Sequence, residues 1–205
     1  MHLLLTDRLC CPRCGPEFGL ILLADRLEDR RVHEGGLGCS NCRDSYPVRG
    51  GVGDLRSAPR GETPERTEVE DGLPSAAEIG GLLGVLRGPG HLLLLGALGV
   101  RARTVADLIE GIEVVAGGSN EPEGEEEHGV SRVIVRSRLP FQTRSLRGVA
   151  LSEGEGIHDL DEVARVISPG GRLAIFGPQP GNGDRVRAAG LEIIAEEETR
   201  VVACR

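Results

Sequence analysis

Two cysteine pairs near the start constrain this chain more than any other feature: Cys11-Pro12-Arg13-Cys14 and Cys39-Ser40-Asn41-Cys42. The 24 residues between them let the chain fold back and present four sulfurs to one ion. The spacing therefore predicts a tetrahedral zinc site made by Cys11, Cys14, Cys39 and Cys42. The position after each knuckle often needs a positive φ, which Gly15 supplies after the first pair. Arg43 holds the matching place after the second, a less favourable turn. Four thiolates on a divalent ion leave a local charge of two minus, and Arg13 and Arg43 stand beside it to offset part. The alternatives are two disulfides or free core thiols. No signal peptide precedes the pairs, so a reducing, cytoplasmic setting is expected, and that disfavours disulfides. Cys10 could compete with Cys11, but only Cys11 makes Cys-x-x-Cys with Cys14. Cys204 reads as a small buried hydrophobe.

A length of 205 residues allows one ordinary domain plus a small one. The first 50 or so residues have too little core to hold themselves without a metal. No apolar run reaches the roughly 20 residues that a membrane span needs, so no membrane partner is expected. The net charge is −8, every basic residue is Arg, and acid gathers in 62–71 and 121–127. This balance argues against broad electrostatic binding of nucleic acid. The aromatic side chains (Phe18, Tyr46, Phe141 and Phe176) leave little for base stacking.

Around the cysteines, 18–23 and 31–38 flank a charged turn and read as a hairpin between the knuckles. Tyr46-Pro47-Val48-Arg49-Gly50-Gly51-Val52 then reads as a short strand and a glycine turn. Leu9-Cys10-Cys11-Pro12-Arg13-Cys14-Gly15, the second cysteine pair and this Tyr-Pro-Val-x-Gly-Gly-Val ending resemble the Trm-type zinc-ribbon family over residues 3–55. Gly53 departs from the proline usual there. The resemblance implies a small subunit that binds and activates methyltransferases, and so a protein partner, a methyltransferase or a larger assembly.

The composition divides the chain into a ribbon at 1–56, a Pro/Glu/Arg/Thr-rich flexible linker at 57–73 and an α/β domain at 74–205. Ser75 can cap a helix over 76–87 with Ile79, Leu82, Leu83 and Leu86 on one face, stopped by Gly88-Pro89-Gly90. Residues 92–95 suit a strand buried on both faces. Helix is expected over 102–110, with strands at 113–116, 132–135 and 146–151. Asp159 and Glu162 form a capping-box pattern for a helix through Ile167. Strands follow at 172–176, 191–195 and 200–204, with a brief helix near 184–189. The pattern predicts an N-terminal zinc ribbon followed by a doubly wound, mostly parallel Rossmann-like sheet with an antiparallel C-terminal edge.

Two passages in that second part resemble class I S-adenosylmethionine (SAM) methyltransferases: Leu139-Pro140-Phe141 with 145–152, and the Leu160–Leu173 run through Ser168-Pro169-Gly170-Gly171. The resemblance spans about 75–205 and implies SAM as cofactor. The family's acidic-x-Gly-x-Gly-x-Gly turn aligns here with Leu94, Gly96, Leu98 and Val100, with Gly99 as a shifted glycine. The acid expected at the end of the second strand falls at Gly117 or Gly118; Glu121 could replace it only from a loop that folds back. Arg147 and Gly148 stand where the family has Phe-Asp. These losses predict a pocket that no longer binds SAM well, with Leu98 and Val100 filling the methionine space. Gly96 and Gly99 remain the cofactor-binding positions of the alternative, an active enzyme.

No catalytic set emerges. His2, His33, His91, His128 and His158 lack ligand spacing, and His158 alone follows the fourth strand where substrate-facing groups sit. Glu153 and Glu155 read as solvated loop acids, and Ser152 lacks a nucleophile elbow. The leading expectation is a zinc-binding adaptor with a degenerate methyltransferase domain, a pseudoenzyme. The alternative is a SAM-dependent methyltransferase with a built-in ribbon activator, and a third is a purely structural subunit.

Overall fold

The computed structural model describes residues 1–61, 72–119, 128–136, 138–152 and 159–205. The expected linker falls mostly in 62–71, outside the described residues, as do Glu121, Glu153, Glu155 and His158.

The N-terminal part comprises α1 (Leu3–Thr6), β1 (Cys10–Cys11), β2 (Gly15–Glu28), β3 (Arg31–Cys39), β4 (Ser45–Arg49) and β5 (Val52–Asp54). The predicted hairpin is β2 against β3, turning through Asp29 and Arg30, both with positive φ. After it come α2 (Ala76–Leu83), β6 (Gly90–Leu95), a 3₁₀ turn (Gly96–Arg101), α3 (Ala102–Leu108), β7 (Ile112–Gly118) and β8 (Val130–Ile134). The chain ends with β9 (Leu146–Ser152), α4 (Leu160–Val166), β10 (Ile167–Phe176), α5 (Asn182–Ala188), β11 (Glu192–Glu197) and β12 (Arg200–Cys204).

Among the described residues, the twelve strands form one sheet, in the order β1-β2-β3-β4-β5-β8-β7-β6-β9-β10-β12-β11. Strands β5 to β10 run parallel to one another across β8, β7, β6 and β9, and β12 and β11 close the far edge antiparallel. The joint between the two parts is β5 against β8, with Val52 opposite Arg132 and Asp54 opposite Ile134. The cysteine-bearing part thus extends the parallel sheet of its own chain.

Alternation along the central strands sorts two cores. Leu92 and Leu94 pack with Ile79 and Leu83 of α2 and Val105 of α3 on one face. Leu93, Leu95 and Val115 face the other way, toward Leu160 and Val163 of α4 and Val186 of α5. That second face is also covered by Met1, Leu5, Leu9, Leu139 and Phe141, each at most 1% exposed. Among the described residues, the link from β8 to β9 crosses this face without a helix, although a parallel crossover usually carries one. The segment before the first knuckle fills the gap: Cys10 N–H donates to Pro140 O at 3.0 Å and Gln142 N–H to Arg8 O at 2.8 Å. The Leu139-Pro140-Phe141 passage is therefore a seat for the ribbon's first residues. Arg165 of α4 clamps it by donating to Leu139 O and Phe141 O at 2.8 and 2.7 Å.

Three local expectations change. Ser75 does cap α2, accepting from Glu78 N–H at 3.2 Å, but the helix ends at Gly84, whose φ of +66° caps it before Leu86. Leu86 is consequently 90% exposed rather than part of the apolar face. Asp159 caps α4 by accepting from Asp161 N–H, while Glu162 accepts from Leu139 N–H and pairs with Arg165. The reciprocal capping box does not form, because Glu162 serves the Leu139 clamp. Cys204 is half-exposed near the end of β12, since its strand position points toward the surface.

Candidate metal centre and the crevice above the sheet

The hairpin brings the two knuckles together. The sulfurs of Cys11, Cys14, Cys39 and Cys42 all lie within 4.8 Å of one another. Cys11 Sγ is 3.6 Å from Cys42 Sγ, and Cys14 Sγ is 3.9 Å from Cys39 Sγ. A tetrahedron of thiolates at the zinc–sulfur distance of about 2.3 Å has edges of about 3.8 Å, so the donor set fits a zinc ion. Gly15 has φ +100°, as its turn requires, and Arg43 occupies the same left-handed region at φ +60°. Arg43 N–H donates to Cys39 O at 2.9 Å, closing the second knuckle.

Polar groups converge on three of the sulfurs. The Tyr46 hydroxyl lies 3.4 Å from Cys11 Sγ, and Cys14 N–H donates to the same sulfur at 3.3 Å. Asn41 Nδ2 donates to Cys14 Sγ at 3.3 Å. Arg60 lies over the Tyr46 ring, 5.2 Å from its centre. Burial disfavours the Cys11 thiolate, but hydrogen bonds from Tyr46 and from the Cys14 and Arg13 backbone outweigh it and bring Cys11 down to about 7. The Asp44 backbone favours the Cys42 thiolate, yet desolvation and the neighbouring sulfurs of Cys14, Cys11 and Cys39 push it up to about 12. Cys11 gives up its proton readily, while Cys42 resists until a cation neutralises the cluster. Cys10 stays outside the cluster, buried and pushed up to about 11 by that burial. Tyr46 appears in the sequence only as part of the ribbon ending. Asn41 and Arg60 carried no signal there, though a side-chain amide inside a knuckle spacer is a place to look.

The second candidate lies at the C-terminal ends of β6 and β9, where the sheet order reverses and ligands commonly bind. Gly96 leaves β6 with φ +65° and opens the 3₁₀ turn. Leu98 points into the core and is fully buried among the residues of α2, α3 and β7. A Cβ on Gly99 would meet Ala116 Cβ at 3.4 Å, so this glycine lets the turn press onto β7. Val100, expected beside Leu98, is 40% exposed and fills nothing, because the turn rotates it outward. Strand β7 ends Gly117-Gly118, with Ser119 next and no carboxylate among those described residues. A side chain at Gly117 would run into Leu93 and Leu95 at 3.2 and 3.3 Å.

Arg147 and Gly148 do not belong to the crevice. Arg147 donates to Arg87 O and Pro89 O beneath the start of β6, the opposite end of the parallel strands. Gly148 is a packing position, where a Cβ would meet Leu83 and Leu92 at 3.1 Å. Their departure from the family pattern therefore has no bearing on a cofactor. Ser152 ends β9 half-buried. His91 is buried near the start of β6, at the end of the strand away from the crevice.

No protein-family model and no curated protein matches the sequence. Solved structures do share the fold. One is the complex between the Haloferax volcanii Trm112 methyltransferase activator and a chain assigned as a methyltransferase, with TM-score 0.52 and 17% identity over 61% of this chain and 71% of that one. The [4+2]-cyclase SpnF aligns with TM-score 0.47 and 20% identity over 62% of each chain. The antibiotic-resistance methyltransferase Kmr aligns with TM-score 0.45 and 14% identity over 68% of this chain and 96% of its own. The α/β part of this protein thus has a methyltransferase-like fold, and among the described residues no helix is long and apolar enough to cross a membrane.

Proposed function

We propose that this protein is a zinc-stabilised, non-catalytic member of the methyltransferase-fold proteins that works by binding a protein partner. The observation that carries the reading is the turn after β6. Leu98 is buried there, and Gly99 lies against Ala116 where a cofactor would need open space. The end of β7 offers glycines where a ribose would need a carboxylate. Losing a charged hydrogen-bond acceptor costs about 1.5–3 kcal/mol, and a filled pocket adds to it. Zinc held by Cys11, Cys14, Cys39 and Cys42 would supply a structural crosslink between the hairpin and the first strand.

The β5–β8 pairing favours a second reading. A ribbon that activates methyltransferases by extending their sheet would be spending that edge on its own chain. This is the arrangement of a methyltransferase with its activator built in. The same pairing argues against service to a separate enzyme through β5. Titration with SAM separates the two: the non-catalytic reading expects no saturable binding, and the built-in activator expects a micromolar site.

A further inference from the structure

We propose that residues 55–61 form a strap that holds the metal centre shut, with the Arg60 guanidinium as its clasp. The inference rests on the reading of the four cysteines as metal ligands. The strap is rooted beside the α/β part, where Leu55 N–H donates to Ile134 O at 2.9 Å. Leu55 is buried, and Arg56 next to it is 4% exposed and bidentate on Asp54 at 2.8 Å. Arg60 then reaches back to the second knuckle. It donates to Ser45 O, stands 3.6 Å from the Asp44 carboxylate and covers the Tyr46 ring, 5.2 Å from its centre. Arg136, just past β8, donates to Arg60 O and so ties the same residue to the α/β part.

Residues 44–46 are the run of the ribbon that an ion needs closed. Asp44 O accepts from Cys39 N–H at 2.9 Å, the Asp44 amide supports the Cys42 sulfur, and the Tyr46 hydroxyl lies 3.4 Å from Cys11 Sγ. Three of the four ligands therefore lean on this run, and Asp44 is its weak point. A carboxylate beside four thiolates is repelled by them, since the cluster keeps a charge of two minus with zinc bound. Asp44 Oδ2 is buried and accepts no hydrogen bond, and the ion-pair partner of this carboxylate among the described residues is Arg60. Asp54 keeps Arg56 when Arg60 is gone, so the loss of the clasp falls on Asp44 and Tyr46. The hold is ionic rather than apolar. Ala58 and Pro59 are exposed, and the Arg60 and Asp44 side chains are 23% and 15% exposed, within reach of salt. The clasp can thus open while the root of the strap at Leu55 stays buried.

The test uses the zinc-loaded full chain, its metal content measured first, and times zinc transfer to the chromogenic chelator pyridylazoresorcinol. Groups that brace metal ligands are worth about tenfold or more in metal retention, so Arg60→Ala should release zinc about tenfold faster than wild type. Arg60→Lys keeps the charge but not the planar cover on Tyr46, and should fall between the two. Arg136→Ala removes a bond to the strap and none to the knuckle, and should still speed release by about threefold. Arg49→Ala removes the same charge from the exposed end of β4 and should leave the rate unchanged. Raising sodium chloride from about 50 to about 500 mM should speed release from wild type and not from Arg60→Ala. Circular dichroism checks that each variant is folded, and the wild-type salt response keeps the test open should Arg60→Ala fail to fold. A wild-type rate indifferent to salt, an Arg60→Ala rate equal to wild type, or an Arg49→Ala rate as fast as Arg60→Ala would overturn the strap while leaving the metal reading intact. A wild-type protein that takes up no zinc would instead overturn the metal reading beneath it.

Discussion

Gly53 of β5 lies in parallel register with Val133 of β8, and the same residue pairs with Val48 of β4 on its other side. One three-residue strand therefore stitches the cysteine ribbon to the α/β sheet. The stitch is backed by packing, since Met1, Leu5 and Leu9 cover the β6–β7–β8 face beneath it.

Through that continuity, a zinc ion held by the four cysteines would bear on the stability of the whole chain. On the sequence alone, Cys14→Ser or Cys39→Ser is expected to unfold the N-terminal segment. With the sheet shared, stripping the zinc should also expose the face lined by Leu93 and Val115. Structural zinc contributes on the order of 10 kcal/mol in small folds. The expected result is a single cooperative melt that shifts downward on chelation, with hydrogen exchange accelerating in β8 as well as in the hairpin. Unchanged protection in β8 would show the ribbon to be independent.

A buried ion pair joins the two parts on the same face. Arg31 of β3 donates to both oxygens of Glu113 of β7 at 3.2 Å and to Val130 O at 2.7 Å, and Ser131 Oγ donates to Glu113 at 2.7 Å. Both side chains are about nine-tenths buried. Glu113→Ala should destabilise by about 3 kcal/mol in urea, because it strands the guanidinium. Replacing both, Arg31→Met with Glu113→Leu, should recover most of the loss.

Acid should weaken the fold through His91. Burial holds its imidazole down at about 4, against 6.5 for an ordinary histidine. Between these values the unfolded chain binds a proton that the folded chain refuses, so stability falls as pH drops from about 6.5 toward 4. The full difference corresponds to about 3 kcal/mol. His91→Leu should flatten that part of the stability–pH curve relative to wild type, and denaturant titrations at pH 7, 5.5 and 4.5 would show it. Carboxylates such as Asp54, held low against its burial by Arg56, act at more acid pH.

The second knuckle carries backbone strain that glycine would relieve. A non-glycine residue in the left-handed region costs about 1–2 kcal/mol, and Arg43 sits there at φ +60°. Arg43→Gly should therefore raise stability by about 1 kcal/mol in chemical denaturation with zinc bound, less whatever the arginine's charge contributes beside the thiolates.

Much of this was legible in the sequence because it depends on local spacing. The cysteine pairs, the Gly15 turn, the Ser75 cap and the order of strands and helices all follow from residues within a turn of one another. The joint was not legible: nothing in Val52-Gly53-Asp54 announces a parallel partner at Val130–Ile134, almost eighty residues away. The same holds for Leu139-Pro140-Phe141, which reads as a family passage and is also the seat of Leu9. Leu98 reads in the sequence as a departure from a glycine turn, and the structure buries it in the core; Val100 was misjudged because the 3₁₀ turn leaves it 40% exposed. Arg147 and Gly148 were assigned to the crevice from alignment alone, and their strand end is set by register, which spacing does not reveal.

Whether the crevice is closed to cofactor decides the account, and isothermal titration of the zinc-loaded protein with SAM tests it most directly. Starting from a micromolar site, the lost carboxylate and the buried Leu98 should move binding to the millimolar range or beyond. At about 100 µM SAM, roughly a hundred times that starting affinity, the account predicts no saturable heat. A dissociation constant near micromolar would contradict it and identify the chain as an enzyme carrying its own ribbon.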